Sequence, residues 1–473
     1  MAAMVAVKSL TRRAAREPSP PPATPRRLRR AVLALLLCTV ALWGSLQLAL
    51  TGAHTAISAA AAHTVPAIVD TSQVAYFLAD ADRVAAGSFA SGTVALSGPG
   101  QRYQDDLKSA HQALARAAEH DATGPAGSGQ LQAIEGLLVE YTSLIEQAHA
   151  TAGRGVLSTA YLSYASNLMH KPDSGILAQV QLLQAADQQA LSRQRHSPWL
   201  APATLYGVLV PAAVALVLLV ATQRFLSRHF HRRINPYLLA ASGLLITLAG
   251  WTVVATLHSD RAFTTACDEA LPSLTASWQA RTLARQAAGA DALAIVQTAP
   301  GQGFSHGFAT YTAPLADRPV TPAVIEAART GGPAFQGILA DLLRSDLGPD
   351  SDDTARRDTA LRTLQDFRRF TAADTDLQRQ AAGHDFAAAA TTDPAMVATA
   401  VGPGPTQLGG TGATLDMDLT RLTDLHRQRL ADAEASARSD LGLQLALPVL
   451  CAAIAALCLA GLWPRIDEYR AAR

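Results

Sequence analysis

Four stretches of the chain carry no Asp, Glu, Lys, Arg or His. They are Ala31–Leu50, Ala203–Ala221, Tyr237–Leu257 and Leu441–Trp463. A helix needs about 20 apolar residues to cross a bilayer. A helix packed in a soluble core normally keeps a polar stripe, and these keep none. The pattern therefore predicts four transmembrane helices. The first reads as an anchor rather than a cleaved signal peptide, although RRLRR precedes it. Its apolar length is long for a signal core, and no A-x-A site follows at once.

The segments between the spans, 51–202 and 258–440, show a different pattern. Apolar residues return at three- and four-residue steps in Val74, Phe77, Ala81 and Val84, then in Tyr103, Leu107, Ala110 and Leu114. They return again in Leu131, Ile134, Leu138, Tyr141 and Ile145, and in Ile176, Val180, Leu183, Ala186 and Ala190. This is the seam spacing of bundled helices. The breakers SGPG, DATGPAGSG and KPDSG fall between these stretches. Four helices in an antiparallel bundle are expected in the first segment. The second segment is less regular, and its last helix shows Leu415, Leu419, Leu422 and Leu425.

The chain also repeats itself. The first and third apolar stretches start 206 positions apart, as do Pro66 and Pro272. HTVPAIVDTS follows the first span and DEALPSLTAS the third, and DADRVA at Asp80–Ala85 has a counterpart in GADALA at Gly289–Ala294. The second and fourth spans each carry an early proline, Pro211 and Pro448. The expected fold class is an all-α membrane protein: four transmembrane helices with two extracytoplasmic antiparallel helical bundles in a tandem repeat.

Charge gives this layout an orientation. Residues 1–30 hold eight basic residues against Glu17 alone, and 222–236 hold Arg224, Arg228, Arg232 and Arg233 against no acid. Residues 51–202 carry 8 basic and 12 acidic residues, and 258–440 carry 16 and 23. Positive charge collects in cytoplasmic loops because it resists translocation. The expected order is a basic cytoplasmic tail (1–30), a span (31–50), an outer domain (51–202), a span (203–221) and a basic cytoplasmic loop (222–236). A span (237–257), a second outer domain (258–440), a last span (441–463) and a cytoplasmic tail (464–473) follow. Both termini face the cytoplasm of a multi-pass cell-membrane protein. The loop RFLSRHFHRRINPY is first a topology determinant touching anionic lipid, and second a candidate docking surface. Arg26, Arg27, Arg29 and Arg30 form the comparable cluster in the tail.

Composition adds little chemistry. Net charge is +1, so no overall field draws the chain to nucleic acid. Of 39 basic residues only Lys8, Lys108 and Lys171 are lysines, which reads as a GC-rich genome. Cys38, Cys267, Cys451 and Cys458 have no disulfide or zinc spacing. Val401–Thr414 is glycine-rich but lacks the lysine of a phosphate loop. DSDD at Asp350–Asp353 lacks the glycine and glutamate of a calcium loop. His306 stands alone. No catalytic, cofactor or metal site is expected, and no enzyme activity. The spans carry no Asp, Glu, Lys, Arg or His, and Gln47 and Gln444 near their outer ends are their most polar residues, so a self-sufficient transporter is not expected either.

What remains is a helical sensor with no room for an output domain in its cytoplasmic segments, so a signal would pass to a separate protein. The basic tail ending RRLRR, the two outer helical segments, the loop RFLSRHFHRRINPY and the tail PRIDEYRAAR resemble the GlnX-type actinobacterial four-span membrane proteins. That resemblance implies two partners: an extracytoplasmic amino-acid-binding lipoprotein, GlnH, and a cytoplasmic Ser/Thr kinase, protein kinase G. It carries no residue over by motif. Membrane lipids are further partners, and a homodimer is the assembly allowed for. The alternative readings are an envelope scaffold, or an accessory subunit of a transport complex.

Overall fold

The computed structural model describes residues 24–94, 98–120, 124–195, 202–230, 235–297, 307–347, 354–382, 410–439 and 446–471. All the regular structure among them is helical. Four helices are long and apolar enough to cross a membrane: Arg29–Ala90, Tyr206–Phe225, Pro236–Gln297 and Ala446–Trp463. The chain divides into two compact units.

The apolar unit comprises the described residues of Met1–Gly52, Ala201–Leu257 and Leu441–Arg473. It holds the start of α1 (Thr24–Ala59), α7 (Pro202–Phe230), most of α8 (Pro236–Thr264) and α15 (Ala446–Ala471). Its apolar side chains face outward as well as inward: Leu35 and Leu46 are buried, while Leu33 and Leu37 are exposed. Such a helix suits lipid on its outer face. The Asn235 side chain donates to the Gly461 carbonyl at 2.8 Å. Gly461 permits this approach, since a Cβ there would lie 3.1 Å from Leu238.

The large unit gathers both intervening segments, Ala53–Leu200 and His258–Asp440, into one body. The first segment supplies α2 (Val65–Ala90), α3 (Gln101–Glu119), α4 (Pro125–Ala150), α5 (Val156–His170) and α6 (Ile176–Arg195). The second supplies α9 (Leu271–Gln297), the short α10 (Phe308–Thr312), α11 (Pro322–Gly331), α12 (Ile338–Leu347), α13 (Thr354–Ala382) and α14 (Thr411–Ser439). Each segment has its own apolar core. Val74, Tyr103, Leu114, Ile134 and Val180 lie in the first, and Phe308, Phe335, Phe367 and Leu419 in the second.

The first segment thus has five helices where four were expected. The extra one, α5, buries Ser158, Leu162, Ala165, Ser166 and Met169. Its three-to-four spacing is hidden because serines stand at two of the buried positions. Part of the expected breaker DATGPAGSG is helix, because Pro125 starts α4 with the fixed φ a first helical turn accepts.

The two segments meet along α2 and α9. Tyr76 stacks edge-on with Trp278 at 5.5 Å, Asp80 pairs with Arg285 at 3.3 Å, and a Cβ on Gly289 would lie 3.3 Å from Arg83 Cα. The partners ascend together, so the helices run parallel. Gly289 lacks the side chain that would hold the backbones apart there.

Both helices enter the unit through a π-turn. Ala60–Thr64 precedes α2 and Thr265–Ala270 precedes α9. The Val65 N–H donates to Ala60 and the Leu271 N–H to Ala266, each one residue wider than an α-helical bond. Pro66 and Pro272 follow directly. Proline removes an α-helical donor, and its ring clashes with the carbonyl four residues back. A π-turn absorbs that clash without ending the helix.

Candidate functional site

A cluster of buried charges in the large unit lies where α2 and α9 meet. Asp80 is 1% exposed. It accepts from Arg83 Nε at 2.6 Å and from an Arg102 terminal nitrogen at 2.8 Å, with Arg285 Nε at 3.3 Å. Burial alone would raise its pKa. The guanidiniums of Arg83, Arg285 and Arg102 outweigh burial and hold the carboxyl far below its usual range.

Arg285 continues the network to Asp416 on α14, at 2.6 Å. Arg281 Nε donates to the same carboxylate at 2.9 Å, and the Tyr76 hydroxyl lies 3.2 Å from it. The Arg281 guanidinium also sits 4.0 Å from the centre of the Tyr76 ring and 4.6 Å from that of Trp278. Burial opposes the charge on Arg285, yet Asp80 and Asp416 raise its pKa well above the ordinary value. Burial and the neighbouring Asp80 charge push Asp106 up to about 7, against the pull of Arg102 and Arg83.

Other buried carboxylates hold neighbouring helices. Asp82 accepts from Tyr141 Oη at 3.1 Å and Ser166 Oγ at 3.2 Å, and lies 3.0 Å from His170 Nε2. The His170 ring in turn lies 5.7 Å from that of Tyr311, in the second segment. Asp70 accepts from Arg116 Nε at 2.9 Å and lies 3.1 Å from His120 Nδ1. Asp346 and His426 are fully buried and 3.4 Å apart. Removing one partner of such a pair typically costs about 3–5 kcal/mol. The arrangement ties helices together through charge.

The π-turns are tied into the same body by the last residues of α6. Thr64 Oγ1 donates to Gln194 Oε1 at 3.0 Å, and the next residue, Arg195, pairs with Asp268. Glu269 accepts from Arg429 of α14 at 2.6 Å. Cys267, between these, is a thiol whose pKa burial pushes up to about 12, which leaves it unreactive as a nucleophile.

The arginines expected from the sequence lie elsewhere. Arg26, Arg27, Arg29 and Arg30 fall in the first turns of α1, with Arg29 and Arg30 exposed. Arg224 is exposed near the end of α7, and Arg228 lies in the same helix. Arg232, Arg233, His306, Gln444, DSDD at 350–353 and residues 401–409 of the glycine-rich stretch lie outside the described residues. Nothing in the periodicity singled out Asp80, Arg285 or Asp416. The one sequence signal was DADRVA, three charged residues within four positions of an otherwise largely apolar stretch of helix.

Among the described residues, the fold and these sites define an all-helical protein with four membrane-length helices and a large, charge-bolted helical unit. Residues 56–196, which take in the first π-turn and α2 to α6, match the family model of an actinobacterial sensor domain. No curated protein and no solved structure matches the chain. The match supports a sensor-type protein with a sensing or signalling role.

Proposed function

We propose that the chain is a non-catalytic membrane signalling protein. Its large unit lies outside the cytoplasm and engages a solute or an amino-acid-binding lipoprotein of the GlnH kind. The helices entering that unit pass the change to a cytoplasmic partner, a Ser/Thr kinase of the protein kinase G kind. The observation that carries this reading is the sensor-domain match over 56–196. It begins within a helix that runs unbroken from Arg29 to Ala90 and holds a membrane-length apolar stretch.

Charge supports the orientation. The arginines before the first span and after the second would keep the N-terminus and the 222–236 loop in the cytoplasm, against anionic headgroups, and two further spans would return the C-terminus to the same side. The paired π-turns and the α2/α9 pairing support a tandem repeat: Pro66 and Pro272, and Arg83 and Gly289, stand the same 206 positions apart. In this reading the two halves are each other's partner across a parallel helix pair. Signals of this kind need one helix to move against another by about 1–2 Å.

The test is recovery of partners with the tagged full chain from native membranes, with and without added amino acids. A solute-binding lipoprotein and a kinase should co-purify, and kinase recovery should change with the added amino acid. Recovery of neither would overturn the proposal.

A further inference from the structure

The residues that hold the second π-turn also line a cleft. Its volume is about 490 Å³, within the range of about 300–1,000 Å³ common to small-molecule sites. Asp268 and Glu269 come from the π-turn, Asp341 from α12, Arg356 from α13 and Arg429 from α14. The lining thus offers three carboxylates and two guanidiniums on four different elements. An anion alone would meet the three acids, and a cation alone would meet the two arginines. A molecule carrying both charges at separate ends matches the lining.

The pairs already present are of the kind a ligand can exchange. Arg429 holds Glu269, whose side chain is 56% exposed. Asp341 is exposed, and its ion-pair partner is Arg344, three residues along the same helix. Exposed pairs such as these contribute about 0–1 kcal/mol. Arg356 differs: it lies 4.0 Å from Asp346, which with His426 forms the fully buried pair. The cleft therefore adjoins a fully buried polar pair.

We propose that this cleft binds a small zwitterionic solute, with its carboxylate on Arg356 and Arg429 and its cationic end toward Asp341, and that binding takes Arg429 away from Glu269. Occupancy then removes the ion pair between the second π-turn and α14 while Arg195 still holds the turn to α6. The proposal rests on the sensing reading above and deepens it by naming a ligand class and the contact that changes.

Calorimetry on the full chain in lipid nanodiscs tests it with three four-carbon probes: γ-aminobutyrate, succinate and putrescine. They share a chain length and differ only in the charges at their ends. γ-Aminobutyrate should bind saturably, and the other two at least about tenfold more weakly. Arg429→Gln should weaken γ-aminobutyrate by about tenfold or more, the loss expected for one charge-assisted hydrogen bond. Glu269→Gln should tighten it, because Arg429 loses its competitor; a purely structural pair would give no such gain. If Arg429→Gln unfolds, as a thermal melt would show, the Glu269→Gln comparison decides alone. Equal binding of all three probes, no saturable γ-aminobutyrate binding, or unchanged or weaker binding to Glu269→Gln would each overturn the proposal. Loss of cleft binding with partner recovery still responsive would sink the cleft alone. Cleft binding with no partner recovered would sink the signalling reading alone.

Discussion

The two π-turns stand at matching places in the chain and are held in different ways. Ala60–Thr64 is AAAHT, and its side-chain tie is one neutral hydrogen bond, Thr64 to Gln194. Thr265–Ala270 is TACDEA, and two ion pairs fasten it to two helices, Asp268 to Arg195 and Glu269 to Arg429. A neutral bond between partly buried groups is indifferent to salt and to small charged solutes. Partly exposed ion pairs respond to both. The first turn thus serves as a fixed fitting and the second as an adjustable one, although the same proline geometry creates each.

The largest effect should come from breaking the register between the two helices that the π-turns lead into. A π-turn holds one residue more than the α-helical turn it replaces, so the helix beyond it keeps its facing. Inserting one alanine after Ala67, past the first π-turn, should rotate the rest of α2 by about 100° against α9, the angle of one residue at 3.6 per turn. Asp80 would then leave Arg285, and a thermal melt of the full chain in nanodiscs should show the cooperative transition lost or lowered by tens of degrees. Deleting Ala61 alone removes the extra residue, returns the first turn to an α-helix and should cost much less. A deletion as costly as the insertion would remove the claim that the π-turn absorbs one extra residue.

Next in size is the buried network itself. Asp80→Ala leaves Arg83, Arg102 and Arg285 around an uncompensated site and should cost about 3–5 kcal/mol in denaturant unfolding. Asp416→Ala removes a partner that is 18% exposed and should cost less, because water can reach the arginines it leaves. Equal costs would mean that the network is uniform across the two segments.

This asymmetry marks where the sequence stops being informative. The bundle seams are legible in it. Leu131, Ile134, Leu138, Tyr141 and Ile145 all lie in the first core, as their spacing requires. The four membrane-length helices are legible for the same reason, since bulk hydrophobicity is a local property. The charged network is not. Tyr76 meets Asp416 across 340 positions and Arg281 meets Asp416 across 135, so no window of the chain contains the site. Helix α5 hides because Ser158 and Ser166 occupy buried positions that a hydrophobic pattern scores as surface. The π-turns hide because the prolines that cause them also fit an ordinary helix start.

A smaller effect is expected from Asp106, through pH. Its folded pKa of about 7 lies above the ordinary value of 3.8. Between roughly pH 4 and 7 the unfolded chain has released this proton and the folded chain retains it. The folded state binds more protons there, so stability should fall as pH rises through that window, by at most about 1.4 kcal/mol per pH unit. Asp80 acts in the opposite sense at lower pH: its depressed pKa adds stability that is lost as pH falls below about 4. Asp106→Asn should flatten the slope between pH 4 and 7 and leave the acid limb in place. An unchanged slope in that variant would show that another group sets it.

The smallest effects return to the two turns and separate them by salt. Thr64 is fully buried, and Thr64→Val removes one neutral hydrogen bond of 3.0 Å. The cost should be about 0.5–1.5 kcal/mol, the same at low and high ionic strength, since no charge is lost. The double variant Asp268→Asn, Glu269→Gln removes two ion pairs of partly exposed groups and should cost no more than about 1–2 kcal/mol at low salt, with each exposed pair contributing about 0–1. That cost should vanish near 1 M salt, where the screening length falls to about 3 Å. Denaturant melts of the three proteins at two salt concentrations give the comparison directly. If the Thr64 variant also recovers with salt, its cost is electrostatic and the first turn is not the neutral fitting described. If the acidic double variant keeps its full cost at high salt, those pairs are buried enough to resist exchange, and a ligand could not displace Glu269 from Arg429 at small cost.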